Sequence, residues 1–281
     1  MDPRIAETRE RIAGLSRLPE DQFDLGEAAL LIAKEEYPDL DVGVYLVQLD
    51  ALAERFERYS SSGDSRRTCK VLALNRYLFE EAGFAGNASA YYDPRNSFLN
   101  EVLDRRLGIP ISLATLYMEI ARRVGVRVEG IGLPGHFLLR YAGPEGSFYI
   151  DPFHRGEFLT ADDCRLRFRE VNDRSLTFRP EFLEPVTKRQ MLTRMLCNLK
   201  GIYIHGGDWC RALSVTERIL LVNPEAPGEM RDRGLLYFRL ECFRNALRDL
   251  EAYLNRQPEA EDAPQVRAHV QALRKLVRMI N

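Results

Sequence analysis

The sequence predicts an α+β protein that is mostly helical and that ends in helical repeats. Apolar residues recur with helical spacing through most of the first 80 residues. The period then changes to strand-like alternation between residues 126 and 150, and a 34-residue repeat follows residue 191. With 281 residues the chain is long enough for two domains, which we expect at residues 1–185 and 186–281.

The composition of the chain argues against several classes of protein. Hydrophobic residues make up 45% and charged residues 29% of the chain, and the net charge is -2. No basic face for nucleic acid is expected, and no apolar run reaches the length of about 18–20 residues that spans a membrane. The five cysteines contain no CxxC pair, so neither a metal site nor a disulfide framework is expected, and no cofactor is implied. The N-terminus lacks an apolar secretion signal, which favours a cytoplasmic protein.

Residues 1–90 are predicted to form a helical layer. Asp41 is expected to cap the third helix, and Gly83 to end the fourth. Ser65 is the predicted cap of that fourth helix. The predicted helices are 3–17, 25–37, 42–59 and 66–82.

Residues 91–180 are predicted to form a mixed core. Asn96 is expected to cap a short helix that runs from Ser97 to Leu107. The next helix is expected to begin near Pro110, since a proline lacks the N–H that is unpaired at a first helical position. It is predicted to end before Gly125 and to be buried on more than one side.

A β-hairpin is predicted to follow this central helix. Its strands are 136–141 and 147–150, joined by turn residues 142–146. Pairing Tyr141 with Ser147 places His136 opposite a neighbour of Asp151, with an expected error of one residue. We therefore predict that His136 and Asp151 lie within hydrogen-bond distance. A capping box at Thr160 is expected to start another helix.

The C-terminal part repeats. Tyr203, Ala212 and Pro224 recur 34 residues later as Tyr237, Ala246 and Pro258. This period is typical of the tetratricopeptide repeat (TPR), which consists of two helices. Residues 265–279 are predicted to form a last amphipathic helix that caps the stack.

Taken together, these motifs resemble the bacterial SirB-type transglutaminase-like/TPR proteins. The resemblance rests on RLGIPISLATLY, PGHFLLRY and FYIDPF, followed by the repeats. It implies a transglutaminase-like (papain-like) core and a cytoplasmic protein whose activity is poorly defined. In active transglutaminase-like proteins a cysteine begins the helix, and Pro110 occupies that place here. His136 and Asp151 correspond to the catalytic histidine and aspartate.

The missing cysteine favours a non-catalytic binding or regulatory module. A protein or peptide partner is expected in the TPR groove, without nucleic acid or membrane. Candidate binding residues are Asn96, Asn100, Tyr237 and Trp209, although the asparagines are also interpreted as caps or loop anchors and Trp209 as a packing residue. The other histidines, His154, His205 and His269, are interpreted as incidental.

An alternative is an acyl-transfer enzyme that uses Ser112 as nucleophile, His136 as base and Asp151 to orient the base. Cys69 is a further candidate nucleophile. Two arguments oppose Ser112. A step of two residues turns a helix by about 200°, so Ser112 is expected to face away from the side of Pro110. Proline also lacks the backbone N–H that helps to hold an oxyanion, and such a donor contributes about 3 kcal/mol.

Overall fold

The computed structural model describes residues 3–61, 69–143, 146–172 and 176–280. The chain divides into two compact units, residues 1–195 and 196–281. The predicted cap Ser65 and the turn residues 144 and 145 lie outside the described residues. No helix in the described ranges is both long enough and apolar enough to cross a membrane.

The first unit begins with the predicted helical layer. Asp24 caps α2 by accepting the Glu27 N–H, and Asp41 caps α3 by accepting the Gly43 N–H, as predicted for Asp41. A π-helical turn, Tyr77–Glu81, continues α4. The helices are α1 (Pro3–Leu15), α2 (Leu25–Glu36), α3 (Val42–Ser60) and α4 (Lys70–Arg76).

The central helix is the predicted one. The preceding elements are β1 (Ala85–Gly86), α5 (Leu99–Arg105) and β2 (Leu107–Gly108), and the helix itself is α6 (Pro110–Arg123). Strands β1 and β2 pair in parallel and bring Gly86 beside Gly108, just ahead of α6. Helix α6 contacts α2, α3, α5 and the sheet, and consecutive residues on different faces of it, such as Leu113, Ala114 and Thr115, are almost fully buried. The prediction of burial on more than one side is therefore confirmed.

A four-stranded antiparallel sheet follows α6, in the order β3-β4-β5-β6. Its buried face packs on the next helix through a cluster that includes Ile131, Leu138 and Phe168. Thr160 begins that helix with the predicted capping box, in which Asp163 is the second member. These elements are β3 (Val128–Ile131), β4 (Leu138–Gly143), β5 (Gly146–Asp151), β6 (Glu157–Leu159) and α7 (Ala161–Val171).

The boundary between the units falls within α8, and the second unit continues with paired helices. Helix α10 packs on α9 and α11, and α11 packs on the last helix. Ala246, Leu250 and Leu273 are at the centre of the apolar cluster that joins α11 to that helix. This arrangement agrees with the repeats and the capping helix predicted from sequence. The helices are α8 (Lys188–His205), α9 (Trp209–Val222), α10 (Pro227–Arg239), α11 (Phe243–Arg256) and α12 (Ala263–Ile280).

Two details of the hairpin differ from the predictions. Strand β4 begins at Leu138, so His136 lies in the turn before the strand rather than in it. Ser147 pairs with Ala142, a register shift of one residue from the predicted partner Tyr141. The shift lies within the expected error, because a turn sequence alone does not fix which residues close the hairpin.

Candidate functional site

His136 and Asp151 meet at one end of the β4–β5 hairpin. The His136 Nε2 atom lies 2.8 Å from Asp151 Oδ2. Both residues are buried, with 5% of His136 and 0% of Asp151 exposed. A turn positions the histidine, since its backbone N–H donates to the Leu133 carbonyl and Gly135 has a φ of 75°. The predicted proximity of these two side chains is confirmed, whereas their chemical role stays a prediction.

His154 is a third member of this cluster. Its Nδ1 atom lies 2.8 Å from the same Asp151 oxygen, Oδ2. The other oxygen, Oδ1, accepts the backbone N–H groups of Phe153 and His154 at 3.1 and 3.2 Å. The structure therefore brings His154 into the cluster by a contact that was not predicted, whereas its interpretation as functionally incidental stays a prediction. The signal for this contact was the position of His154 three residues after an aspartate, because a tight turn returns such a side chain to the carboxylate.

The cluster favours an ionised Asp151. Burial raises the pKa of its carboxyl, but the hydrogen bonds and charges of His136 and His154 outweigh burial and hold that pKa below its usual value. Arg167 adds a cation, with its Nε atom 3.4 Å from Asp151 Oδ2. The arginine also pairs with Glu157 at 2.7 Å and Glu170 at 3.2 Å. One carboxylate oxygen therefore faces two imidazoles and one guanidinium.

Aromatic rings and a second arginine surround His136. The Phe153 ring stands edge-on to the His136 ring, with 6.2 Å between centroids, and contacts Tyr91 in the same way. Arg194 donates to the carbonyls of His136 and Leu133, both at 2.8 Å. The histidine is thus fixed through its backbone as well as through Asp151. Sequence reasoning missed these contacts because they join residues far apart in the chain.

The start of α6 presents no free nucleophile. Pro110 is the first residue of the helix. The Ser112 hydroxyl is 0% exposed, donates to the Asn96 carbonyl at 2.6 Å and accepts the Ile109 N–H at 3.1 Å. Ser112 and His136 share no hydrogen bond in the part of the chain that the structure describes. The serine side chain here closes the first turn of the helix, a role typical of a third helical residue.

The two candidate asparagines lie just before and within α5, and the Asn96 carbonyl contacts this helix start. The Asn96 side chain is fully buried, donates to the carbonyl of Ala90 at 2.7 Å and accepts from Asn87 at 3.0 Å. The prediction that Asn96 caps a helix from Ser97 is wrong, because α5 begins at Leu99, and Asn96 anchors the preceding loop instead. Asn100 is 5% exposed.

Tyr237 and Trp209, the other candidate binding residues, lie in the second unit. The Tyr237 hydroxyl donates to Glu217 at 3.1 Å, and its ring packs on the cluster between α11 and α12. The Arg239 guanidinium lies 5.7 Å from the centre of the Trp209 ring. Both rings are partly buried, so each has a packing role as well as some exposed surface.

Comparison with known proteins fits this arrangement. The family model described as "Transglutaminase-like superfamily" matches residues 44–197, more than half of the chain. A "Tetratricopeptide repeat" model matches residues 199–271. The chain therefore belongs to the transglutaminase-like superfamily and carries TPR repeats after that domain.

Its relatives place it more narrowly, in the UPF0162 family. A UPF0162 protein of Xylella fastidiosa is 40% identical over 265 residues, which cover 91% of this chain and 92% of the relative. Protein SirB1 of Salmonella typhimurium is 30% identical over 205 residues, 73% of this chain and 75% of the relative. The resemblance to SirB-type proteins is confirmed.

One further similarity is limited to a shorter segment. Human F-box only protein 21 is 43% identical over 100 residues, which cover 33% of this chain and 16% of that protein. No solved structure matches the chain significantly.

Proposed function

We propose that this chain is a non-catalytic transglutaminase-like protein that acts as a binding or regulatory module. The observation that carries this proposal is the start of α6. Pro110 stands where the resemblance places the nucleophile, and the Ser112 hydroxyl is buried and hydrogen-bonded to the backbone. A nucleophile must be accessible to substrate and lie within hydrogen-bond reach of its base.

The backbone supports the same conclusion. Proline has no N–H to donate to an oxyanion at this position. Loss of one such donor costs about 3 kcal/mol of transition-state stabilisation, in addition to the loss of the nucleophile itself. Displacing the Ser112 hydroxyl would leave the Ile109 N–H with only the more distant Asn96 carbonyl at 3.4 Å, and would also break the hydroxyl's own bond to that carbonyl, at a cost of about 1–3 kcal/mol.

We propose the TPR repeats as the site of a protein or peptide partner, because stacked helix pairs create an extended concave surface. Trp209 and Tyr237 are the proposed contact residues in that unit. The functional division is proposed at residue 185, with the transglutaminase-like part before it and the repeats after it. A cytoplasmic location is part of the same proposal. All five cysteines are free, as is usual for proteins in a reducing compartment.

A second candidate function is acyl transfer by Ser112, His136 and Asp151. It is favoured by one observation, the 2.8 Å contact between His136 and Asp151, which is the base-and-orienter pair of such enzymes. Cys69 would be the nucleophile in a variant of this mechanism.

Broad acylating probes for serine and cysteine, followed by mass spectrometry, separate the two candidates. Cys210 and Cys242 are exposed and supply a background that does not depend on His136. We expect the same labels in the wild type and in His136→Ala. A label on Ser112 or Cys69 that disappears in His136→Ala, but not in the control His205→Ala, would establish the enzyme and overturn the proposal.

Partner binding is tested with the immobilised full-length chain and a bacterial lysate. We expect a protein that is captured by the wild type and released by Trp209→Ala. Tyr92→Ala is the matched control, because Tyr92 is an aromatic residue of the first unit that is 76% exposed. Equal capture by all three proteins would argue against the TPR contact.

A further inference from the structure

We infer that His136, Asp151 and His154 form a binding site for a divalent transition-metal cation of the zinc type. Their ligand atoms, two imidazole nitrogens and one carboxylate oxygen, all lie within 4.8 Å of one another. This inference does not depend on the proposed function, since a bound cation is compatible with either a binding module or an enzyme.

Two of the three ligand distances are close to those of a tetrahedral site. His136 Nε2 and His154 Nδ1 each lie 2.8 Å from Asp151 Oδ2. Ligand bonds of about 2.0–2.2 Å in a tetrahedral zinc site place neighbouring ligand atoms about 3.3 Å apart. The ion would therefore open each of these two contacts by about 0.5 Å, and the two imidazole nitrogens, which lie within 4.8 Å of each other, would adjust to a similar spacing.

The ligands are held before any ion binds. The Asp151 Oδ1 atom is occupied by the N–H groups of Phe153 and His154, which leaves Oδ2 directed at the two imidazoles. The Asp151 carbonyl accepts the Gly156 N–H at 2.8 Å and closes the turn that carries His154. Such outer contacts orient metal ligands and are worth about 10–100-fold in affinity.

The two imidazoles and the carboxylate determine which metal ions this site would favour. Imidazole nitrogens suit zinc, copper, nickel and iron, whereas magnesium and calcium prefer oxygen ligands alone. Three protein ligands leave a fourth tetrahedral position open. The His154 side chain is 41% exposed, so an ion has a route to the cluster from solvent.

Binding also requires a transfer of protons. An imidazole that donates an N–H to Asp151 must give up that proton before the same nitrogen ligates a cation. His136 Nδ1 and His154 Nε2 make no hydrogen bond with other residues in the described ranges, so each ring can carry its proton there in the alternative neutral tautomer. Any surplus proton goes to solvent.

Arg167 competes with the ion for Asp151, because its Nε lies 3.4 Å from Oδ2. The same guanidinium is held by Glu157 and Glu170, which continue to balance its charge when a cation takes the Asp151 oxygen. The arginine therefore lowers the affinity without blocking the position.

The test uses the full-length protein after treatment with a chelator. We expect Co²⁺ to give the visible absorption of a tetrahedral ion, Zn²⁺ to bleach it in competition, and Mg²⁺ to have no effect. His154→Phe keeps an aromatic ring beside Phe153 but removes one ligand. It should weaken binding by more than about 100-fold, the upper effect of an outer contact.

His205→Phe is the matched control, since His205 is exposed at the end of α8, and it should bind as the wild type does. All five cysteines remain in each variant, so thiol binding is a common background. Arg167→Gln should bind more tightly because it removes the competing charge. Absence of Co²⁺ and Zn²⁺ binding in the wild type, or equal affinity in His154→Phe, would overturn the inference.

Discussion

The β4–β5 hairpin and helix α6, which contact each other through β4, differ in the chemistry that their ends present. The hairpin half, defined by His136 and Asp151, contains a buried imidazole–carboxylate contact of 2.8 Å. The helix half, defined by Pro110 and Ser112, begins with a residue that has neither a nucleophilic side chain nor an N–H. Its one hydroxyl is committed to the Asn96 carbonyl.

This difference shows why one half of a site does not predict the other. The hairpin half needs its charged groups for its own structure, because a buried Asp151 requires hydrogen-bond donors. The helix half needs only to pack and to close its first turn, and proline with a serine at the third position does this well. Each half can therefore be stable without the functional groups of the other. Substitutions in the helix half should change the free energy of unfolding, and substitutions in the hairpin half should change its pH dependence.

The largest effect is expected from the packing of the helix half. Ile120 on α6 is 0% exposed, so Ile120→Ala should lower the free energy of unfolding by about 2–5 kcal/mol through lost burial and a cavity. Urea denaturation followed by circular dichroism measures it. Val47→Ala, at a position 65% exposed on α3, should stay within about 0.5 kcal/mol of the wild type. Equal losses in both variants would mean that α6 is not central to the core.

Ser112→Ala should have a smaller effect. It removes the nearer of two acceptors of the Ile109 N–H and the hydroxyl donor to the Asn96 carbonyl, so we expect a loss of about 1–3 kcal/mol in the free energy of unfolding. The same denaturation experiment applies, with the exposed Ser147→Ala as a control. If Ser112→Ala matched the wild type in stability, the structural role assigned to this hydroxyl would be refuted.

The smallest effect concerns pH and the hairpin half. Because the folded state lowers the pKa of Asp151, this group contributes stability above its unfolded pKa of about 3.9, and the contribution is lost as pH falls through the folded value. The stability advantage of the wild type over Asp151→Asn should therefore shrink as pH falls below about 5. Denaturation is measured with a chelator present to exclude bound cations. An advantage that grows as pH falls would contradict the direction of the shift.

The sequence predicted those features of the fold and site that depend on local signals. Pro110 marks the start of α6, Asp41 caps α3, and the hairpin turn brings His136 to Asp151. In each case a few neighbouring residues determine the local backbone conformation. The spacing of hydrophobic residues then predicts whether the segment is a helix or a strand. The 34-residue repeat was equally predictable, because the same residue types recur at that spacing in the sequence.

The features that were missed depend on the folded chain. Asparagine is favoured at helix N-caps, yet the Asn96 side chain anchors a loop through Ala90 and Asn87. Arg167 reaches Asp151 from a different element, α7, and no spacing rule connects the two residues. His154 was within reach of a turn argument, but a lone histidine carries too little signal until its carboxylate partner is located.

Introducing a cysteine at the start of α6 tests the central proposal, that the hairpin half retains a base with its orienting carboxylate whereas the helix half lacks a nucleophile. We would introduce Pro110→Cys, with and without His136→Ala, and follow alkylation of each cysteine by iodoacetamide with mass spectrometry. Cys210 and Cys242 are internal references, since both are exposed in the second unit. We predict that the cysteine at position 110 is alkylated at neutral pH and that the rate falls when His136 is removed. A cysteine there that reacts at the same rate without His136, or that does not react in either protein, would contradict the claim.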